Sequence, residues 1–127
     1  MSGASNPLKI KLQLYCGDEI AMGPGKADLL EAIAREGSIS AAGRALGMSY
    51  RRTWLLVDAM NRCWDVPLVE TAMGGKQGGG ARVSPRGEAV LAAYRALQDD
   101  LTRASEVSLG ALTAALRGSP RASQHEG

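Results

Sequence analysis

Residues 38–64 read SISAAGRALGMSYRRTWLLVDAMNRCW, and this stretch decides the fold of the chain. It predicts two helices joined by a tight turn, the arrangement of a helix-turn-helix. Ser40 is the predicted N-cap of the first helix, and Gly47 ends that helix because glycine adopts a left-handed backbone without steric cost. Ser49 is the predicted N-cap of the second helix, which we expect to begin at Tyr50.

The second helix carries one face for the core and one face for a partner. Residues at spacings of four, three and four form the stripe that we expect to face the core: Thr53, Val57, Met60 and Trp64. The side chains predicted to face outward and to enter a DNA major groove are those of Tyr50, Arg51, Arg52, Trp54 and Leu55. Cations are disfavoured at the positive end of a helix, so the two arginines in its first turn indicate an anionic partner.

The distribution of charge supports that interpretation. Residues 44–86 contain seven basic and three acidic residues, whereas the segments on either side each contain four basic and five acidic residues. The net charge of +2 is therefore concentrated as a local excess of +4 around the predicted helix-turn-helix. A local basic surface of this kind favours contact with phosphates.

Composition excludes several classes of protein. The 127 residues suffice for one domain, and neither a membrane-spanning run nor a signal peptide is present, so we expect a cytoplasmic protein without a membrane partner. Cys16 and Cys63 lack metal-ligand spacing, and the single histidine lies in a polar tail. No nucleophile has a base nearby in sequence, so we expect no enzyme, no catalytic residue, no metal and no cofactor.

Two predicted hairpins flank the helices. Alternating apolar residues predict a half-buried strand over 8–14, which pairs back with 19–22 before a helix that ends at Gly37. After the helix-turn-helix, strands at 68–73 and 81–84 enclose a glycine-rich tip, a pattern typical of the wing of a winged helix. Lys76, Gln77 and Arg82 are the wing residues predicted to contact DNA backbone or the minor groove. The start of the helix at Ser40 is a further predicted phosphate contact.

Ser84-Pro85 predicts the start of a long last helix, with serine as the cap and proline in the first turn. Its apolar stripe is the predicted dimer interface and comprises Val90, Tyr94, Leu97 and Leu101. The predicted organisation is a DNA-binding domain over 8–84, a linker or dimerisation helix over 85–117, and disordered tails over 1–7 and 118–127. The fold class is thus mainly α with a small β component.

The amino-acid sequence resembles one family in particular. The segments GPGKADLLEAIAREGSISAAGRALGMSYRRTWLLVDAMNRCWDVPLVE (23–70) and GGKQGGGARVSPRGEAVL (74–91) closely resemble the N-terminal DNA-binding domain of the molybdate-responsive transcriptional regulators, the ModE family. LysR-type winged helix-turn-helix regulators are similar more loosely. The resemblance implies that Ser49 and its four neighbours Tyr50, Arg51, Arg52 and Trp54 occupy recognition-helix positions. Full-length members carry a molybdate-binding region after the linker helix that these 127 residues do not include, so we expect no tightly bound small molecule.

These observations predict a homodimeric, sequence-specific regulator of transcription that binds double-stranded DNA. A second hypothesis from another class remains open, in which a winged helix binds another protein through its long helix and has lost DNA binding. Salt-sensitive binding to duplex DNA separates the two hypotheses.

Overall fold

A computed structural model describes residues 6–72 and 80–123 of the chain. Two short antiparallel hairpins and five helices follow one another in the order β1 (Leu14–Cys16), β2 (Glu19–Met22), α1 (Pro24–Glu36), α2 (Ile39–Ala45), α3 (Tyr50–Arg62), β3 (Val69–Ala72), β4 (Gly80–Val83), α4 (Pro85–Ala104) and α5 (Glu106–Thr113). The predicted winged helix-turn-helix, mainly helical with a small β component, is therefore confirmed.

The core lies where α1 meets α2, α3 and the second hairpin. Helix α1 contributes a broad buried face that includes Leu29, Leu30 and Ile33, all without solvent exposure. Val57 and Met60 of α3 and Leu68 close the core from the other side. Full burial of an aliphatic side chain of this size contributes about 1.5–3 kcal/mol, so this cluster holds the three helices together.

The corner between α2 and α3 is set by the cap of α3 and one left-handed glycine. Ser49 Oγ accepts the Arg52 N–H at 3.0 Å, and α3 begins at Tyr50 as predicted. Gly47 has a φ of 72°, which ends α2 as predicted. The predicted cap of α2 is wrong: Ser38 Oγ accepts the Ala41 N–H at 3.1 Å, and Ser40 lies inside the helix.

Helices α2 and α3 cross closely at Gly43. A Cβ atom on Gly43 would lie 2.1 Å from Thr53 Oγ1, far inside ordinary contact distance. Thr53 is held in place because its hydroxyl donates to the Ser49 carbonyl oxygen at 2.8 Å. The angle that presents α3 therefore depends on the absence of a side chain at residue 43.

The first hairpin is shorter than the alternation of residues 8–14 predicts. Only Leu14–Cys16 pairs with β2, with a register shift between Leu14 and Tyr15. Strand β2 has four residues and offers no edge for residues 8–13. The carbonyl oxygen of Leu12 instead accepts a hydrogen bond of 2.7 Å from the Tyr94 hydroxyl.

Helix α4 begins as predicted, since Ser84 Oγ accepts the Gly87 N–H at 3.0 Å and Pro85 follows in the first turn. Its apolar stripe is divided differently from the prediction. Tyr94 is only 2% exposed and Val90 packs against the same core, so these two side chains belong to their own domain. A break at Ser105 divides the helix predicted over 85–117 into α4 and α5.

Of the predicted disordered tails, residues 1–5 and 124–127 lie outside the described part of the chain, and residues 118–123 belong to no helix or strand. Within the described part, no helix is long and apolar enough to cross a bilayer.

Candidate nucleic-acid interface

The first two turns of α3 present basic and aromatic side chains to solvent. Tyr50 is 70% exposed, and Arg51 and Arg52 beside it are exposed as well. Trp54 and Leu55 are exposed in the next turn. The structure therefore brings together, on one outward surface, the recognition-helix residues that the sequence predicted, with the Ser49 cap at its edge.

The two aromatic residues of this surface form a pair. The ring centroids of Tyr50 and Trp54 lie 6.1 Å apart with planes tilted by 54°. Residues at i and i+4 on a helix are neighbours, so each ring limits the movement of the other. A restrained aromatic pair offers apolar contact, which in the major groove suits the methyl group of thymine.

Within residues 6–72 and 80–123, no acidic side chain forms an ion pair with Arg51 or Arg52, and α3 has no acidic residue in its first turn. The acidic Asp58 further along α3 is engaged by Arg62 at 2.8 Å. Both arginines at the start of α3 therefore keep their hydrogen-bond donors for a partner. Arginine reads guanine by two hydrogen bonds to O6 and N7.

Helix α2 adds a basic side chain that the sequence argument counted but did not place. Arg44 is exposed in the last turn of α2, one residue after the crossing point Gly43, and no acidic residue of the described chain pairs with it. The turn that follows Arg44 leads directly to the start of α3. Ser40, the predicted phosphate contact, is half-buried within the same short helix.

The base of the wing is firmly attached to the helices. The Asn61 side chain at the end of α3 accepts the N–H groups of Leu68 and Val69, each at 3.0 Å, and donates to the Val69 carbonyl oxygen at 3.2 Å. On the other strand, the Ala81 N–H donates to the Gly37 carbonyl oxygen at 3.0 Å. Sequence reasoning missed Asn61, because a polar residue near the end of an amphipathic helix carries no signal of its own.

Of the predicted wing residues, Lys76 and Gln77 lie outside the described residues. Arg82 is on β4 with its side chain 82% exposed, and it pairs with Glu70 on the facing strand at 2.9 Å. An exposed pair of this kind contributes little to stability, so Arg82 is able to exchange Glu70 for a phosphate at small cost.

The four residues predicted for a dimer interface do not form one surface. Val90 and Tyr94 face the core of their own domain, whereas Leu97 is 38% exposed and Leu101 is half-buried. Further along, α5 exposes Val107 and Leu112. The apolar surface available to a partner thus begins at Leu97 and lies further towards the C-terminus than predicted.

Comparison with known proteins finds a matching family model and several relatives. Residues 26–88, from the third residue of α1 to the first turn of α4, match the bacterial regulatory helix-turn-helix proteins of the lysR family. The molybdenum-pterin-binding protein MopA of Rhodobacter capsulatus is 41% identical over 108 residues, which are 85% of this chain and 41% of MopA. The protein MopB of the same organism is 51% identical over 77 residues, 61% of this chain and 28% of MopB.

A third relative carries a regulatory name. The DNA-binding transcriptional dual regulator ModE of Escherichia coli (strain K12) is 34% identical over 99 residues, which are 78% of this chain and 38% of that protein. The chain spans less than half of the length of these relatives. The similarity therefore concerns the part of the relatives that corresponds to the winged helix-turn-helix and the helix after it.

Proposed function

We propose that this chain, whose residues 26–88 match the bacterial regulatory helix-turn-helix proteins of the lysR family and whose relatives include ModE proteins, binds double-stranded DNA sequence-specifically and regulates transcription. The observation that carries the proposal is the first turn of α3, where Arg51 and Arg52 are exposed and unpaired within the described residues. The N-terminal residues of a recognition helix are those that reach base edges in the major groove.

Different parts of the surface have different tasks in this proposal. Arg51 and Arg52 read bases, while Tyr50, Trp54 and Leu55 supply apolar contact beside them. Arg82 and the wing residues Lys76 and Gln77 contact backbone and set the register, as does the helix start at Ser49. Arg44 joins them, because it is exposed at the end of the helix that precedes α3.

The proposal includes a homodimer. An apolar surface is exposed to solvent in a single chain. It is formed by Leu97 and the half-buried Leu101 on α4 and by the apolar side chains of α5. A twofold axis beside these helices would place two α3 helices on one side of the assembly. Each would then read one half-site, with the two half-sites about 34–36 Å apart or a multiple of that distance.

The test is selection of bound duplexes from a random pool, followed by affinity measurements at several salt concentrations. We expect an enriched inverted repeat, and Arg51→Ala to lose about 1–3 kcal/mol on that sequence and to flatten the preference at one position. Arg35→Ala is the matched control, because Arg35 is exposed on α1 and pairs with Glu36. Absence of salt-sensitive duplex binding would leave the protein-interaction module as the better hypothesis.

A further inference from the structure

A small pocket at the start of α1 is surrounded by positive charge. It measures about 190 Å³, and the residues that line it include Lys11, Lys26 and Arg52 together with the first residues of α1. None of the residues that line the pocket is acidic. Like charges that line one pocket repel each other, and an anion that enters the pocket reduces this repulsion.

The backbone of α1 adds donors to the same pocket. The first intrahelical bond runs from the Ala27 N–H to the Gly23 carbonyl oxygen, which leaves the N–H groups of Gly25 and Lys26 without an intrahelical acceptor. Gly23 provides no side-chain cap, and Pro24 has no N–H. Helix starts with free amides favour anions because the helix dipole is positive there.

Lys26 gives an independent indication of a ligand. It lines the pocket, is only 8% exposed, and forms no hydrogen bond or ion pair with the residues at 6–72 and 80–123. Burial has the largest effect and lowers the pKa of this lysine; Cys63 raises it by the next largest effect, Arg52 lowers it by less, and Glu19 raises it least. The Glu19 carboxylate pairs with Arg62 at 2.7 Å and acts on Lys26 only through its charge, without an ion pair.

We propose that the pocket formed by Lys11, Lys26, Arg52 and the free amides of Gly25 and Lys26 binds a phosphate group. A volume of about 190 Å³ is several times the roughly 30 Å³ that one water occupies in the liquid, so a tetrahedral oxyanion fits. The phosphate comes either from a DNA backbone or from free phosphate in solution. The first source rests on the proposed function, because Arg52 lies both in the pocket and at the start of α3. With a DNA phosphate in the pocket, Arg52 contacts that phosphate and Arg51 remains to read bases. The second source does not rest on the proposed function.

Inorganic phosphate is the probe for the pocket itself. Amide resonances of the full chain are followed while phosphate is added at constant pH and ionic strength. We expect saturable shifts at Gly25 and Lys26, none at Gly110 in α5, and loss of the shifts in Lys26→Met, which keeps the apolar stem of a buried side chain. Unchanged resonances outside α1 confirm that Lys26→Met is folded.

Duplex DNA is the probe for the backbone source. Lys11→Gln should reduce the slope of log affinity against log salt by about 0.9, the value for one phosphate contact, with a severalfold loss of affinity at physiological salt. Lys9→Gln is the matched control, because Lys9 is an exposed lysine two residues away that does not line the pocket. Neither lysine substitution touches the core.

The outcomes separate the two proposals. Saturable phosphate shifts without any duplex binding would support the pocket and reject the proposed function. Duplex binding with a reduced slope in Lys11→Gln, but no effect of free phosphate, would assign the pocket to the DNA backbone. Free phosphate that moves Gly25 and Lys26 no more than Gly110, together with equal slopes for Lys9→Gln and Lys11→Gln, would overturn the proposal.

Discussion

The close crossing of α2 and α3 at Gly43 is open to a quantitative test. A methyl group at residue 43 would lie 2.1 Å from Thr53 Oγ1 and 2.9 Å from Thr53 Cγ2, where ordinary contact begins at 3.4 Å. Overpacking of this kind costs about 3 kcal/mol at the upper end of its range. Alanine regains about 1 kcal/mol in helix propensity over glycine. We therefore expect Gly43→Ala to lower the free energy of unfolding by about 2 kcal/mol.

The same substitution should reverse its effect once Thr53 is shortened. Thr53→Ala alone loses a buried methyl and a hydrogen bond to Ser49, together about 2 kcal/mol. In that background the new methyl at residue 43 keeps its helix propensity and enters the space left by Oγ1 and Cγ2, but the Cβ of residue 53 remains 3.0 Å away, so it should stabilise by less than about 1 kcal/mol. The coupling energy between the two sites is then about 2–3 kcal/mol, towards the upper end for residues in contact.

Urea unfolding followed by circular dichroism, at one protein concentration for the four chains of the cycle, measures this coupling. Gly25→Ala is the matched control, because its Cβ would meet nothing within 4 Å. A coupling energy below about 0.5 kcal/mol, the scatter seen for independent sites, would refute the claim that this contact fixes the crossing.

Four further predictions follow from individual contacts. Asn61→Ala should destabilise the chain by about 2–3 kcal/mol, because three hydrogen bonds to Leu68 and Val69 are lost, and exchange of the Leu68 and Val69 amides should rise more than that of α1 amides. Tyr94→Phe should cost about 1–2 kcal/mol in urea unfolding, since it removes only the bond to the Leu12 carbonyl oxygen. Leu97→Glu should convert the proposed homodimer to monomers in light scattering, whereas Ala96→Glu at the neighbouring exposed position should not. A homodimer that persists with Leu97→Glu would exclude α4 from the interface. Arg62 holds the pKa of Glu19 below its ordinary value of 4.5. As the pH falls, the unfolded chain therefore takes up a proton on Glu19 before the folded chain does, so stability should fall as pH drops below 4.5. Glu19→Gln should weaken this pH dependence in acid unfolding.

Local signals in the sequence located most element boundaries. Gly47, the Ser49 cap and the Ser84-Pro85 pair act through their own backbone or side chain within one turn, so their effect is visible without the rest of the fold. The prediction of Ser40 as the cap of α2 was wrong, although Ser38 lies only two residues earlier. Both serines precede apolar residues, and the two-residue connection to α1, which ends at Glu36, decides that the earlier one is the cap.

Features that depend on distant partners were not predictable in the same way. The alternation of residues 8–14 satisfies the pattern of a strand, but a strand needs an edge, and the four residues of β2 pair only with Leu14–Cys16. The position of Tyr94 in the sequence is compatible with a dimer stripe and with the domain core. Its hydrogen bond to Leu12, 82 residues away in sequence, holds it in the core. No local signal distinguishes Lys26 from other helix lysines, because Arg52, which lines the same pocket, is distant in sequence.

The proposed base-reading surface and the packed corner meet in the first turn of α3, so stability and DNA binding should not vary independently there. The Ser49 side chain caps α3 by accepting the Arg52 N–H. The Ser49 carbonyl oxygen accepts hydrogen bonds from the Thr53 N–H at 3.0 Å and from the Thr53 hydroxyl at 2.8 Å. Thr53 in turn fills the space left open by Gly43. A change at the buried Thr53 therefore acts on the backbone that carries Arg51 and Arg52, whereas a change at those arginines leaves the core untouched. Residues that position the surface are thus distinct from residues that form it. Substitution of a positioning residue should alter both the free energy of unfolding and the affinity for DNA. Substitution of a residue that forms the surface should alter the affinity alone.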